Sequence, residues 1–103
     1  MMDKRNHYIN GAWVATQGGA DFPVFNPATE EPFARISLGS EADTEAAIIA
    51  ARAAFPAWSA TKPEMRGDVL KQILAVYEAR TEDMAKAIST EMGAPIDMSI
   101  ADQ

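Results

Sequence analysis

The chain has 103 residues, a formal net charge of −6 at pH 7 and no cysteine. The acidic balance argues against a surface that binds nucleic acid or an anionic membrane, because both need clustered lysine and arginine. The absence of cysteine excludes a disulfide, a thiolate nucleophile and a cysteine-ligated metal within this chain, and it is compatible with a reducing cytosol. We therefore expect one small, soluble, cytoplasmic domain with a modest core and no membrane span.

Two short extended runs near the start predict a β-hairpin. His7–Ile9 and Ala12–Val14 are separated by the dipeptide Asn10-Gly11. Asn-Gly favours a type I′ turn, in which both central residues have positive φ. Residues 16–21 contain a glycine pair without the spacing of a phosphate-binding loop, and no helix opens after it, so we predict a plain flexible loop there.

A second pair of extended runs, residues 22–25 and 33–38, flanks a segment that is typical of a turn. Asn26 precedes Pro27 in that segment. A residue before proline is disfavoured in the helical region, and proline fixes φ at a turn corner. We predict that residues 1–39 form an antiparallel β ribbon.

The residues from Ser40 onward have the pattern of a first helix. Ser40 is placed as the N-cap with Asp43 at the third helical position, where an acid suits the positive end of the helix dipole. The helix is predicted to end before Pro56, which leaves Trp58 in a connector, where we interpret it as a plug of the core. The predicted buried stripe consists of Ala47, Ile48, Ala51, Ala54 and Phe55.

Residues 61–95 are predicted to form the helical segment around which the chain is organised. Thr61 and Glu64 have the spacing of a capping box, and Gly93 followed by Pro95 is a helix stop. Apolar residues recur at steps of three and four along the segment. They are Val69, Leu70, Ile73, Val76, Tyr77, Met84, Ile88 and Met92.

The length of this segment indicates that it is interrupted and that it belongs to a larger body. Unbroken, it would span roughly 50 Å, whereas a compact domain of this size has a diameter of about 33 Å. We predict a break at Arg80 and Thr81, with Thr81 capping a second helix. A further helix start at Asp97 or Ser99 is followed so closely by residue 103 that we interpret the sequence as stopping within an element.

The predicted domain division places the β ribbon in residues 1–39 and a helical part in residues 40–103. Few residues in either part have the pattern of a catalytic site. His7 is the only histidine, and no acid and nucleophile accompany it at a recognisable spacing, so we interpret it as structural. Glu91 is the one acid that we keep as a candidate, because main-chain carbonyls gather near the end of its helix and a hard cation prefers oxygen ligands.

Five pieces of the sequence occur in a distinctive order and spacing. They are YINGAWV at residues 8–14, FNPATEE at 25–31, Asp43 with AI at 47–48 and AARAAFPAW at 50–58, then Arg66 with Leu70 and Ile73, and finally EMGAPI at 91–96. Together they resemble the amino-terminal part of an NAD(P)-dependent aldehyde dehydrogenase. The resemblance covers the chain from Tyr8 to Gln103.

The resemblance implies the fold, the cofactor and the chemistry of an intact protein. Such an enzyme has an α/β fold with a doubly wound cofactor-binding domain, to which the helical part in residues 40–103 would belong as an incomplete piece. It binds NAD or NADP and forms homo-oligomers. A cysteine thiolate attacks the aldehyde, hydride passes to the nicotinamide, and a glutamate-activated water releases the carboxylic acid. In the family the catalytic and cofactor-binding residues lie downstream of the part matched here, so we assign none in this chain and expect no cofactor to bind it alone.

The resemblance also implies one candidate metal site. Some members of the family hold a structural monovalent cation with a main-chain oxygen at the position of Val24 and an acid at the position of Glu91. The third ligand comes from beyond the matched part. We therefore name Val24 and Glu91 as candidate cation ligands.

Two hypotheses about the function remain open. In the first, the chain is a segment of an aldehyde dehydrogenase that is inactive alone, and its partner is the remainder of that enzyme. In the second, it is a free-standing interaction module derived from the family. The first predicts uncovered apolar surface, whereas the second predicts polar substitutions there. Met84, Ile88 and Met92 show no such substitution, and we favour the first.

Overall fold

The computed structural model describes all residues from Met1 to Gln103. It contains five strands and four helices. The strands are β1 (Met2–Lys4), β2 (His7–Ile9), β3 (Ala12–Val14), β4 (Asp21–Asn26) and β5 (Glu31–Ser37), and the helices are α1 (Glu41–Ser59), α2 (Pro63–Ala79), α3 (Thr81–Met92) and α4 (Ile96–Ala101).

The chain forms two compact units. Unit 1 comprises Met1–Phe25 and Pro32–Ala60, and unit 2 comprises Asn26–Glu31 and Thr61–Gln103. The predicted division between residues 39 and 40 follows the change from strand to helix, and it stays a prediction as a statement about domains. None of the helices has the length and apolar character needed to cross a membrane.

The predicted hairpin is present in unit 1. Strands β2 and β3 pair antiparallel, with His7 opposite Val14 and Ile9 opposite Ala12. Asn10 and Gly11 have φ values of 53° and 79°, as a type I′ turn requires. The rings of Tyr8 and Trp13 pack edge to face across the strands, with centroids 5.2 Å apart. The sequence prediction of this element is confirmed.

The other strands form a three-stranded sheet in the order β1-β5-β4. Strand β1 pairs with β5 in parallel, with Met2 opposite Ala34 and Lys4 opposite Ile36. The sequence did not predict β1, and the first 39 residues are therefore not an entirely antiparallel ribbon. A short charged segment gives no local strand signal, because its pairing depends on a partner some thirty residues away.

Helix α1 begins as predicted and ends later than predicted. Ser40 and Asp43 form a capping box, in which Ser40 Oγ accepts from the Asp43 amide and the Asp43 carboxylate accepts from the Ser40 amide. The helix continues through Pro56 to Ser59, so the predicted end before Pro56 is wrong. Proline removes one backbone donor, and near an exposed last turn the carbonyl left unpaired can bind water.

Trp58 consequently lies in the last turn of α1 and not in a connector. Its side chain is 46% exposed, so the interpretation of Trp58 as a core plug is wrong within this chain. The predicted buried stripe of α1 is also uncovered, since Ile48 and Phe55 are 45% and 67% exposed. Helix α1 contacts strand β2 of the hairpin.

The break between α2 and α3 occurs at Arg80, as predicted, but both predicted caps are wrong. Lys62, and not Thr61, is the N-cap of α2, with ψ of 145° and no side-chain cap, because Pro63 at the first helical position holds the preceding residue extended. Thr81 Oγ1 donates backward to the carbonyls of Tyr77 and Glu78. Its hydroxyl therefore closes the end of α2 and does not cap α3.

Helix α3 ends at the predicted glycine. Gly93 has a φ of 75°, in the left-handed region, and its amide donates to the carbonyl of Ser89 at 2.9 Å, which is a helix-ending geometry that favours glycine. Helix α4 then begins after Pro95 as N-cap, so the predicted starts at Asp97 and Ser99 are wrong by one to three positions. The side-chain amide of Gln103, through Nε2, donates to the backbone carbonyls of Ser99 and Thr81. These bonds close the end of this short helix.

The expected core is nearly absent. The only buried apolar residues are Ala34 at 4% exposure and Ala85 at 0%. The accessible surface is 7996 Å², whereas a compact monomer of 11.1 kDa has about 5,700 Å². The expectation of a modest core is therefore wrong for this chain alone, and most of the predicted apolar stripes face outward.

Candidate functional site

The residues that carry catalytic chemistry do not assemble into a site. His7 lies in β2 and is half-buried, and its Nε2 atom is buried without a hydrogen-bond partner. A general base needs a partner within hydrogen-bond reach of the proton that it moves. No group of three or more histidine, aspartate and glutamate side chains is placed to hold a metal ion.

The two candidate cation ligands lie in different units. Val24 is a half-buried residue of β4 in unit 1, and Glu91 is an exposed residue near the end of α3 in unit 2. A backbone carbonyl and a carboxylate are oxygen donors of the kind that hard cations bind. The chemistry of the two donors therefore fits a monovalent cation, and the site itself stays a prediction.

The best-ordered polar cluster in unit 1 centres on Asp43. Its side chain is 4% exposed, and its carboxylate accepts from the backbone amides of Gln17 at 2.8 Å and Ser40 at 2.9 Å. The hydroxyl of Thr16 donates to the same carboxylate. One buried carboxylate thus caps α1 and ties down the loop that contains the glycine pair, which the sequence analysis described as flexible.

Hydrogen bonds to the charged form explain the acid strength of this group. The Ser40 amide contributes most, followed by the Thr16 hydroxyl and the Gln17 amide, and together they hold the pKa of Asp43 well below its ordinary value against the opposing effect of desolvation. A carboxylate that is fully ionised and fully paired in this way is a structural group. It is not available as a general acid at neutral pH.

A second polar cluster surrounds Arg5. Its guanidinium contacts Asp3 at 2.8 Å and Asp21 at 3.2 Å, beside an open polar cleft of about 540 Å³. The hydrogen bond from Arg5 lowers the pKa of Asp3 to about 2. One cation serves both acids on an exposed surface, so the cluster links the start of the chain to β4, and we assign it a structural role.

The principal feature of unit 1, apart from these clusters, is a shallow groove between α1 and the hairpin. Its volume is about 340 Å³. The alanine face of α1 allows close approach because it has no long side chains. The groove is lined by Tyr8, Ile9, Asn10, Gly11, Ala47, Ala50, Ala51 and Ala54.

Unit 2 exposes several large apolar side chains along α2. No residue of α2 is buried. Several of its large apolar residues are more than half exposed, with Leu70 at 66%, Ile73 at 58% and Leu74 at 55%. At the corner with α3, Ile73, Val76, Tyr77, Met84 and Ala87 line an open groove of about 320 Å³. Apolar surface of this extent is typical of an interaction face.

Sequence reasoning missed one role of Asp43. It placed Asp43 as a helix-capping acid, but not as the anchor of the loop at Thr16 and Gln17. Capping is visible as a spacing of three residues, whereas the bond to Gln17 joins residues 26 positions apart. The hydroxyl of Thr16 just before the glycine pair is the only local signal of that contact.

Comparisons with known proteins all identify one family. Residues 13–103 match the sequence model described as the aldehyde dehydrogenase family. A 3-succinoylsemialdehyde-pyridine dehydrogenase from a Pseudomonas species is 44% identical over 96 residues, which cover 93% of this chain and 20% of that protein.

Solved structures give the same result. The crystal structure of an aldehyde dehydrogenase from Bartonella henselae superposes with a TM-score of 0.96 and 50% identity, and the match covers 98% of this chain and 21% of that one. Aldehyde dehydrogenase C from Pseudomonas syringae, solved as a mutant with NAD+ and octanal, gives a TM-score of 0.92 and 45% identity over 94% of this chain and 20% of that one. The chain spans about a fifth of the length of the relatives that it matches.

Proposed function

Because this chain belongs to the aldehyde dehydrogenase family, in which it matches an N-terminal segment, we propose that it is a structural part of an NAD(P)-dependent enzyme that oxidises an aldehyde to a carboxylic acid. We call that full-length enzyme the parent enzyme. The observation that carries the proposal is the uncovered apolar surface of α2. No residue of α2 is fully buried, and on its apolar face Val69 is half-buried while Leu70, Ile73 and Leu74 are exposed. A broad apolar face left open in this way is typical of a surface that further polypeptide covers.

In this proposal the segment supports the chemistry and does not perform it. The chain has no cysteine, so the thiolate nucleophile that the family uses comes from elsewhere in the parent enzyme. When NAD or NADP is bound to the parent enzyme, it accepts a hydride from the substrate. The chain supplies two surfaces for the rest of the enzyme to pack against, one formed by the hairpin and α1 in unit 1 and the other by α2 in unit 2.

The partner, oligomeric state and localisation of the parent enzyme are proposed from the family and from the composition of this chain. The partner of this segment is the remainder of the same polypeptide, and the parent enzyme is a homo-oligomer in the cytoplasm. An acidic chain without cysteine is compatible with that setting.

The family resemblance alone supports a structural cation at Val24 and Glu91. In that site the Val24 carbonyl and the Glu91 carboxylate would each supply one oxygen ligand, and the remainder of the parent enzyme would supply the third. The test is the thermal stability of the assembled enzyme in potassium, in sodium and in a large organic cation. A Glu91→Gln variant should lose any difference among the three, and equal melting temperatures in the unsubstituted enzyme would count against the site.

A chimera tests the structural role most directly. In the Bartonella henselae aldehyde dehydrogenase, the segment that matches this chain is replaced by residues 1–103. The TM-score of 0.96 over 98% of the chain means that the two segments have nearly the same backbone conformation. We expect the chimera to be soluble and to reduce NAD or NADP when an aldehyde is supplied, and we expect this chain alone to show no turnover.

Two controls separate the possible results. The same enzyme with the segment deleted should be insoluble or inactive, which shows that the segment is needed. A chimera that folds but fails to oxidise any aldehyde oxidised by the unaltered enzyme would contradict the proposal. Aldehyde-dependent reduction of NAD by the isolated chain would contradict it as well, because no catalytic residue is assigned here.

A further inference from the structure

One face of α2 combines apolar side chains with a glycine that nothing in this chain requires. Gly67, Leu70 and Leu74 are spaced at i, i+3 and i+7, so they lie on the same side of the helix. Leu70 and Leu74 are more than half exposed. The neighbouring side is polar and carries Glu64, Asp68, Lys71 and Gln72, with the small residue Ala75 among them.

Gly67 is the informative residue of this face. Glycine is among the poorest helix formers, and an interior position gains from alanine unless a side chain is unwelcome there. A Cβ atom added at Gly67 meets no heavy atom within 4 Å, and the backbone is helical, so neither a clash nor a positive φ accounts for the glycine. By contrast, the glycines at 19 and 93 each have a neighbour or a backbone angle that excludes a side chain.

We propose that an apolar helix or strand from the remainder of the parent enzyme crosses α2 at Gly67 and packs on Leu70 and Leu74. The absence of a side chain at Gly67 lets two backbones approach closely, and the two leucines supply the buried area on one flank. This inference rests on the proposed function, and it names the surface through which that function is exercised.

The occupant is polypeptide of the same enzyme. The relatives are about five times longer than this chain, so most of the protein that could cover α2 belongs to the same polypeptide. We place the polar side of α2 toward water in this arrangement, because Asp68 and Lys71 form a charged surface pair and charged side chains are costly to bury.

The test uses the chimera and three variants on α2. Gly67→Ala should lower its melting temperature by about 2–5 °C, because the added methyl group is forced into a packed interface, and Gly67→Leu should lower it further. Ala75→Gly, on the polar side, serves as the matched control and reports the effect of helix propensity alone. It should lower the melting temperature by a smaller amount without changing the yield of soluble enzyme.

The outcomes distinguish this inference from the proposed function. If the chimera is active and Gly67→Ala raises its melting temperature, by an amount similar to the loss in Ala75→Gly, then Gly67 is open and the inference is wrong while the proposed function stands. If Gly67→Ala dissociates an oligomer at unchanged subunit stability, a second copy covers the face, which also overturns the inference. If the chimera does not fold, both proposals fail together.

Discussion

The carboxylate of Asp43 accepts a hydrogen bond from the backbone amide of Gln17 at 2.8 Å, across 26 positions of the sequence. The same carboxylate caps α1 through the amide of Ser40. A single buried acid therefore fixes both the start of a helix and the loop that joins the hairpin to β4. Loss of the acid should affect two places that are distant in sequence.

Replacing Asp43 by asparagine should release the loop and weaken the start of α1. Asparagine has one acceptor oxygen in place of two, so it cannot serve Gln17, Ser40 and Thr16 together. We expect the amide of Gln17 to exchange with deuterium at least tenfold faster in Asp43→Asn, measured by hydrogen exchange on the chimera. Asp68→Asn, which alters an exposed acid on α2, is the control and should leave that exchange rate unchanged.

The same residue predicts a dependence on pH with a definite sign. The pKa of Asp43 is lowered in the folded protein, so its stabilising effect is present above the ordinary value of 3.8 and is lost as the pH falls through the lower folded value. The melting temperatures of the chimera and its Asp43→Asn variant should differ by a constant amount from pH 7 to about 5. The difference should shrink below pH 4, and a difference that grew toward low pH would contradict this assignment.

Glycine is required at position 19 because neighbouring atoms lie too close to leave room for a side chain, and not because of its backbone angle. A Cβ atom there would collide with the carbonyl oxygen of Leu38 and the hydroxyl of Thr16, beside the bond from the Leu38 amide to the Ala20 carbonyl at 2.8 Å. Gly19→Ala should therefore cost about 1–3 kcal/mol of unfolding free energy, measured by urea denaturation of the chimera. Gly39→Ala is the matched control, since its nearest contact would be His7 at an ordinary 3.7 Å, and it should be close to neutral.

Gly93 tests the end of α3. Its φ of 75° strains an alanine by about 1–2 kcal/mol, whereas asparagine tolerates the left-handed region better. The added Cβ would also lie 3.0 Å from a ring carbon of Pro27. We expect Gly93→Ala and Gly93→Asn each to lower the urea midpoint of unfolding. If backbone strain dominates, the midpoint of Gly93→Ala should be the lower of the two. Equal losses in the two variants would instead assign the effect to the contact with Pro27.

The sequence predicts the elements whose signal is local. The hairpin at Asn10-Gly11, the cap at Ser40 and the stop at Gly93 each depend on residues within a few positions, and each is found in the structure. Pro63 overrode the capping box predicted at Thr61, since the rigid ring determines which residue is extended. Local rules thus fail where two of them compete.

Features that depend on contacts between residues far apart in the sequence could not be predicted from local signals. Strand β1 exists only through its pairing with β5, and the loop anchor exists only through Asp43. The apolar stripes of α1 and α2 were correctly located by their period, but the assumption that this chain covers them was wrong, because Ile48, Leu70 and Ile73 are exposed. A periodic pattern indicates which face is to be buried and not which polypeptide buries it.

The most direct test of the account is oxidative footprinting of the methionines in the chimera. Met65, Met92 and Met98 are 52%, 73% and 56% exposed in this chain, and thioether oxidation by dilute hydrogen peroxide follows exposure. We expect these methionines to be oxidised at least tenfold more slowly in the native chimera than after it is unfolded in urea, because the rest of the enzyme covers α2, α3 and α4. Equal oxidation rates before and after unfolding, in a chimera that is active, would show that these faces stay uncovered and would contradict the account.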